Sequence, residues 1–78
     1  MQVEIFTPDK EIFTGKASLI QLWGLDGLFE ILDNHAPMIA ALKAGQIKVC
    51  DEQNQNRHFD IKGGVVEVNQ NRVLVLAE

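Results

Sequence analysis

Seventy-eight residues, 46% hydrophobic and 23% charged, make one small globular domain over residues 1–78 and exclude a disordered or fibrous chain. The net charge of −4 gathers in the first half: residues 1–40 carry six acids against two lysines, and residues 41–78 carry five of each sign. No window forms the basic stripe that releases counterions from phosphates, so nucleic acid is excluded as a partner.

The chain reads as short runs of period-2 alternation separated by turn residues, the pattern of strands half-buried in a sheet. Val3 and Ile5 alternate with Gln2 and Glu4 until Pro8-Asp9 stops the first strand. A short piece, Glu11 to Thr14, is expected to end at Gly15, and a longer strand runs from Lys16 to Trp23. Gly24-Leu25-Asp26-Gly27 suits a hairpin loop with positive φ angles, and Leu28 to Leu32 returns antiparallel. Asp33 to Pro37 breaks the pattern, Met38 to Lys43 resumes it until Ala44-Gly45, and Gln46 to Val49 alternates again. The six polar residues Asp51 to Asn56 read as a loop tip. Arg57 to Ile61 follows, Lys62-Gly63-Gly64 is expected to turn the chain, and Val65 to Val68 and Arg72 to Ala77 flank a tight turn at Asn69-Gln70-Asn71. The spacing predicts an all-β fold: an antiparallel β-sandwich or flattened barrel of about eight to ten short strands.

Reactive side chains are sparse. His35 lies in a turn with no local nucleophile, and His58 flanks Phe59 and points away from the core. Asp26, Glu30 and Asp33 gather near one hairpin without the dense ligand spacing of a calcium loop. Cys50 has no basic neighbour to activate it, and Lys62-Gly63-Gly64 lacks the order of a phosphate loop. The reading therefore assigns no catalytic residue, no cofactor and no metal site, and the chain is not expected to be an enzyme. A lone cysteine points to a reducing compartment. No signal peptide opens the chain and no apolar run spans a bilayer, so it is expected to be soluble and intracellular, with no direct lipid insertion.

Three segments depart from clean alternation. Leu19 to Trp23, Met38 to Leu42 and Arg72 to Ala77 put apolar side chains on both faces of their strands. A sandwich this small has one interior, so the second faces lie under a loop or against another molecule. Trp23 either anchors such a partner or caps the sandwich end.

Gly24-x-x-Gly27, Asn34-His35-Ala36-Pro37 and Gly45-x-Ile47-x-Val49 carry a more specific signal. With Thr7-Pro8, Phe13-x-Gly15, Gly63-Gly64 before Val66-Glu67-Val68, and the closing Val73-x-Val75-Leu76-Ala77-Glu78, they resemble the epsilon subunit of rotary (F-type) ATP synthases along the whole chain. The resemblance implies a ten-stranded sandwich on the central stalk, a non-catalytic rotor subunit packed on the gamma subunit and resting on the c-ring. It places the complex at the cytoplasmic face of the bacterial plasma membrane. Position by position it implies that Thr7, His35, Ala36, Pro37, Met38, Ile39 and Ala40 face gamma, and that Gly27, Leu28 and Phe29 meet the c-ring. Leu28-Phe29 stands where relatives often place a polar or acidic residue, and Lys62 where they commonly place a small one. Relatives usually continue into a C-terminal helical hairpin that can brake the motor and in some binds ATP; if Glu78 closes the whole protein, the resemblance implies coupling without that brake, and a truncated chain would read the same. The alternative is a biotinyl or lipoyl carrier domain with Lys10 as the modified residue, although Lys10 lies nearer the N-terminus than a carrier lysine belongs.

Overall fold

Alternation of apolar and polar residues becomes six strands in the computed structural model, which describes all 78 residues. They are β1 (Gln2–Phe6), β2 (Glu11–Gly24), β3 (Gly27–Leu32), β4 (Met38–Asp51), β5 (Asn56–Asn69) and β6 (Arg72–Ala77). The sheet order is β1-β6-β5-β4-β2-β3, and β1 also pairs with β2. That extra pairing closes five strands into a flattened barrel and leaves β3 held only by the second half of β2. The all-β expectation holds. Two details differ: β1 runs parallel to β6, and the strands number six because β2, β4 and β5 are each 14 residues long and do the work of two.

The extra breaks were expected at small residues that lie inside ladders. Gly15 pairs with Val3, Gly45 with Ile61, and Gly63 with Lys43. A glycine lets a strand coil from one layer of the sandwich to the other without leaving its ladder, so these residues mark bends and not ends. Gly64 shows the requirement most sharply: its φ is 150°, and a Cβ there would stand 2.3 Å from the Leu76 carbonyl oxygen. Genuine turns fall where polar residues accept positive φ. Gln70 and Asn71, at φ 51° and 59°, make the two-residue hairpin between β5 and β6. In the β2–β3 hairpin only Gly27 has positive φ, and Leu25-Asp26 forms the tip between the paired glycines 24 and 27.

Inward positions on every strand meet in one core of 15 buried residues, among them Val3, Ile5, Ile20, Leu22, Ile31, Ile47, Val49, Val66 and Val75. Most are β-branched, which suits the pleated surface and leaves few rotamers to lose. Phe13 and Phe59 pack on this core with ring centroids 5.6 Å apart and planes tilted by 51°, a favourable aromatic arrangement.

Candidate docking surface

Because successive side chains alternate across a strand, the residues left over from the core form rows on the outside. Across β4, β5, β6 and β1 the register aligns Ala41, Val65, Leu76 and Phe6. The next row is Ile39, Glu67, Leu74 and Glu4. Ile39 is 73% exposed, Leu76 54% and Val65 42%, so this layer presents a broad apolar face to its surroundings. The opposite layer carries a smaller set: Leu28 beside Trp23, and Leu32 beside Leu19. Trp23 packs against Gly45, whose missing side chain makes room for it, and the Lys43 ammonium sits 5.5 Å from the ring centroid. Trp23 is 36% exposed and stays outside the core.

The residues singled out in the sequence fall into three places. Pro37, Met38, Ile39 and Ala40 lead into β4, but only Ile39 points outward; Met38 and Ala40 turn in and pack against the core. Phe29 also turns inward, whereas Leu28 and the tip residue Leu25 are exposed. Leu25, Leu28, Phe29, Met38 and Ala40 line one open hollow of about 370 Å³, so the two sets assigned to different partners share a rim. Ala36 and His35 lie exposed in the connection before β4, where the His35 ring Nδ1 donates to the Ala36 carbonyl oxygen at 2.7 Å. Thr7 stands apart. It closes a turn by donating its backbone N–H to the Lys10 carbonyl at 2.8 Å, just beyond the pair Phe6–Leu76. The Asn34 N–H bonds Asn71 Oδ1 at the other end of β6, roughly 20 Å away along that strand.

Val65, Leu74, Leu76 and Phe6 had no assigned role, yet they make most of the outer face. The signal for two of them was legible, since Arg72 to Ala77 is apolar at every position after the arginine. Val65 and Phe6 needed the register.

Side chains that could do chemistry are dispersed. Asp26 is exposed at the hairpin tip, Glu30 accepts a bond from Gln21 Nε2 at 3.0 Å, and Asp33 pairs with the Met1 ammonium. No three His, Cys, Asp or Glu residues come together as metal ligands. The one buried charge, Asp51, is structural. Its Oδ1 accepts from the backbone N–H groups of Gln53 and Gln55 at 2.9 and 3.0 Å, and Oδ2 accepts from Arg57 Nε at 3.2 Å, which pins the β4–β5 loop. The Gln55 N–H foremost, with Arg57 and Gln53 assisting, holds this carboxyl below the usual carboxylate range against the opposing pull of burial.

A group whose pKa is depressed on folding stabilises fully above its unfolded pKa, near 4, and loses that contribution as the pH falls through the folded value. Asp51→Asn is therefore expected to lower the unfolding midpoint at pH 7 and to converge on the wild type once the pH has fallen below the depressed pKa of the folded Asp51 carboxyl. A gap persisting at that acidity would show that Asp51 contributes by shape alone.

Closed barrel and surface together define a class: a small all-β module distinguished by apolar rows on its outside, with its reactive side chains scattered. The family described as ATP synthase, Delta/Epsilon chain, beta-sandwich domain matches residues 1–78. The chain belongs to that family. It is 39% identical to the ATP synthase epsilon chain of Chlorobium limicola over 99% of this chain and 88% of the relative. With the ATP synthase epsilon chain of Salinibacter ruber it shares 40% identity, covering all of this chain and 58% of the relative. Among solved structures, a chain of the central stalk and c-ring of the Tetrahymena thermophila mitochondrial ATP synthase superposes with a TM-score of 0.80 at 25% identity, over 99% of this chain and 62% of that one. A family of ATP synthase chains over the full length leaves the lysine-carrier alternative without support.

Proposed function

We propose that this domain is a non-catalytic rotor part of an ATP synthase, clamping the gamma subunit to the c-ring so that ion flow is coupled to ATP synthesis. In this reading it is a peripheral component of the complex at the cytoplasmic face of a bacterial plasma membrane. The observation that carries the proposal is the outward apolar face of β4, β5, β6 and β1 in a chain of this family. A rotor part transmits torque only if its contacts do not slip, which demands a rigid body and a large complementary surface. A closed barrel supplies the first.

Area decides how the second is met. A stable interface takes about 800 Å² from each partner, roughly a sixth of this chain's 4761 Å². The strip from His35 to Ala40 cannot furnish that alone, since Met38 and Ala40 already face the core. The proposed gamma face is therefore the whole outer layer, with Ile39, Ala41, Val65 and Leu76 at its centre, His35, Ala36 and Pro37 on one margin and Thr7 on the far one. Gly27 and Leu28, with Leu25 at the tip, form the proposed c-ring contact, and Phe29 props that hairpin from inside.

Ile39→Asp combined with Val65→Asp is expected to weaken capture of the gamma subunit by about 100-fold or more, because each carboxylate would be stripped of water at the centre of the contact. Both side chains are exposed, so the urea midpoint should stay near that of the wild type. Undiminished capture by a folded double variant would refute the assignment of this face.

A further inference from the structure

Glu67 stands where the outer apolar face meets a polar row, with Ile39, Leu74 and Val65 on three sides and Asn69 on the fourth. On β5 it lies between Ile39 of β4 and Leu74 of β6, one position along the same face from Val65. The other acid of its row, Glu4, sits across Leu74 and is already neutralised, with Arg72 Nη2 3.4 Å from Glu4 Oε1. Glu67 makes no ion pair and no side-chain hydrogen bond. Of the two lysines on β4, Lys43 is drawn to Trp23, and Lys48 lies further along the strand opposite His58. Shallow hollows flank Glu67 on both sides, one bounded by Pro37, Met38 and Ile39 and the other by Arg72, Leu74 and Glu4.

An unpaired carboxylate amid apolar residues is stable only while water reaches it. Covering it with a purely apolar surface would remove its hydration and return nothing, which costs more than the surrounding apolar contact gains. A face that is to be buried must then bring hydrogen-bond donors to this point, and a guanidinium fits best, since it supplies the opposite charge as well and its planar fork can bond both carboxylate oxygens while its edges lie on Ile39 and Leu74.

We propose that Glu67 is the specificity element of this face: the polypeptide surface that covers it is apolar and places one arginine, or failing that a lysine, against the Glu67 carboxylate. The inference rests on the reading that a rotor neighbour docks here, and it adds the chemistry by which that neighbour is selected. Wrong partners with a neutral or acidic residue at this point are rejected by the desolvation of one side chain.

The test measures binding of the purified gamma subunit from the same source to the full chain, its Glu67→Gln variant and its Glu67→Lys variant, at low and high salt. Glu67→Gln is expected to bind about 10-fold more weakly and Glu67→Lys about 100-fold or more, with the salt dependence of the wild type largely lost in Glu67→Gln. Unfolding midpoints should be unchanged, and reversing the facing gamma arginine to Glu should restore binding to Glu67→Lys. If Glu67→Gln binds as tightly as the wild type while Ile39→Asp with Val65→Asp abolishes binding, the docking face stands and the role of Glu67 is overturned. Failure of the wild type to bind gamma at all would overturn both.

Discussion

Gly64→Ala is expected to cost about 4 kcal/mol, the sum of a strained backbone and an overlap that has nowhere to go. The added Cβ would lie 2.3 Å from the Leu76 carbonyl oxygen and 3.0 Å from Ala77 Cα, both backbone atoms fixed in the β5–β6 ladder. Relief would require opening the pair Gly64–Ala77, whose side chain Ala77 belongs to the core. A domain of this length has a total stability of roughly 4–12 kcal/mol, so the substitution removes a third or more of it. Gly27→Ala separates the two causes. Its φ of 134° is equally unsuited to a side chain, but nothing lies within 4 Å of the new Cβ, so only the backbone term of about 1 kcal/mol remains. Urea unfolding of the two variants measures the difference; equal losses would mean that the close approach to Leu76 is relieved at little cost.

Leu22→Ala is the second large effect, expected at about 3 kcal/mol. Leu22 is completely buried near the C-terminal end of β2, where that strand is bonded to β3 and lies beside β4, so the walls of a new cavity belong to paired strands and cannot collapse into it. A Leu→Ala change elsewhere in the same layer provides the contrast. Leu32 on β3 is 53% exposed, and Leu32→Ala is expected to stay within about 0.5 kcal/mol. The pair tests whether the stability of this small protein resides in one core or is spread over its greasy outer rows.

These two predictions turn on features that differ in how visible they are in the chain itself. Leu22 was legible only as one apolar residue in a strand that is apolar on both faces, whereas clean alternation places Val3, Ile5 and Val49 inward. Gly64 was expected to end a strand, because a glycine pair after a lysine is a common turn. Its actual task, letting β5 pass within van der Waals distance of β6, depends on a cross-strand neighbour 12 residues away and leaves no local trace. The candidate site divides in the same way. Ile39 and the apolar strand Arg72 to Ala77 were visible as surplus hydrophobic surface, and the resemblance marked Leu28 and the His35 to Ala40 run. Which of those side chains face outward followed only from register: Met38 and Ala40 go in, and Val65 and Phe6 come out. The isolation of Glu67 is likewise a cross-strand fact, set by Arg72 choosing Glu4.

Closure of the barrel by its outermost strands has a kinetic side. Val3 is bonded to Gly15 on one flank and to Val73 on the other, partners 12 and 70 residues away. A nascent chain leaving the ribosome at roughly 5–20 residues per second must carry β1 half-satisfied for roughly 3–12 s between the arrival of Gly15 and that of Val73. Contacts so distant in sequence place such a topology among slow folders, in the millisecond-to-second range once the whole chain is free. β6 is thus the clasp, and until it snaps shut the apolar outer rows have no fixed shape to offer.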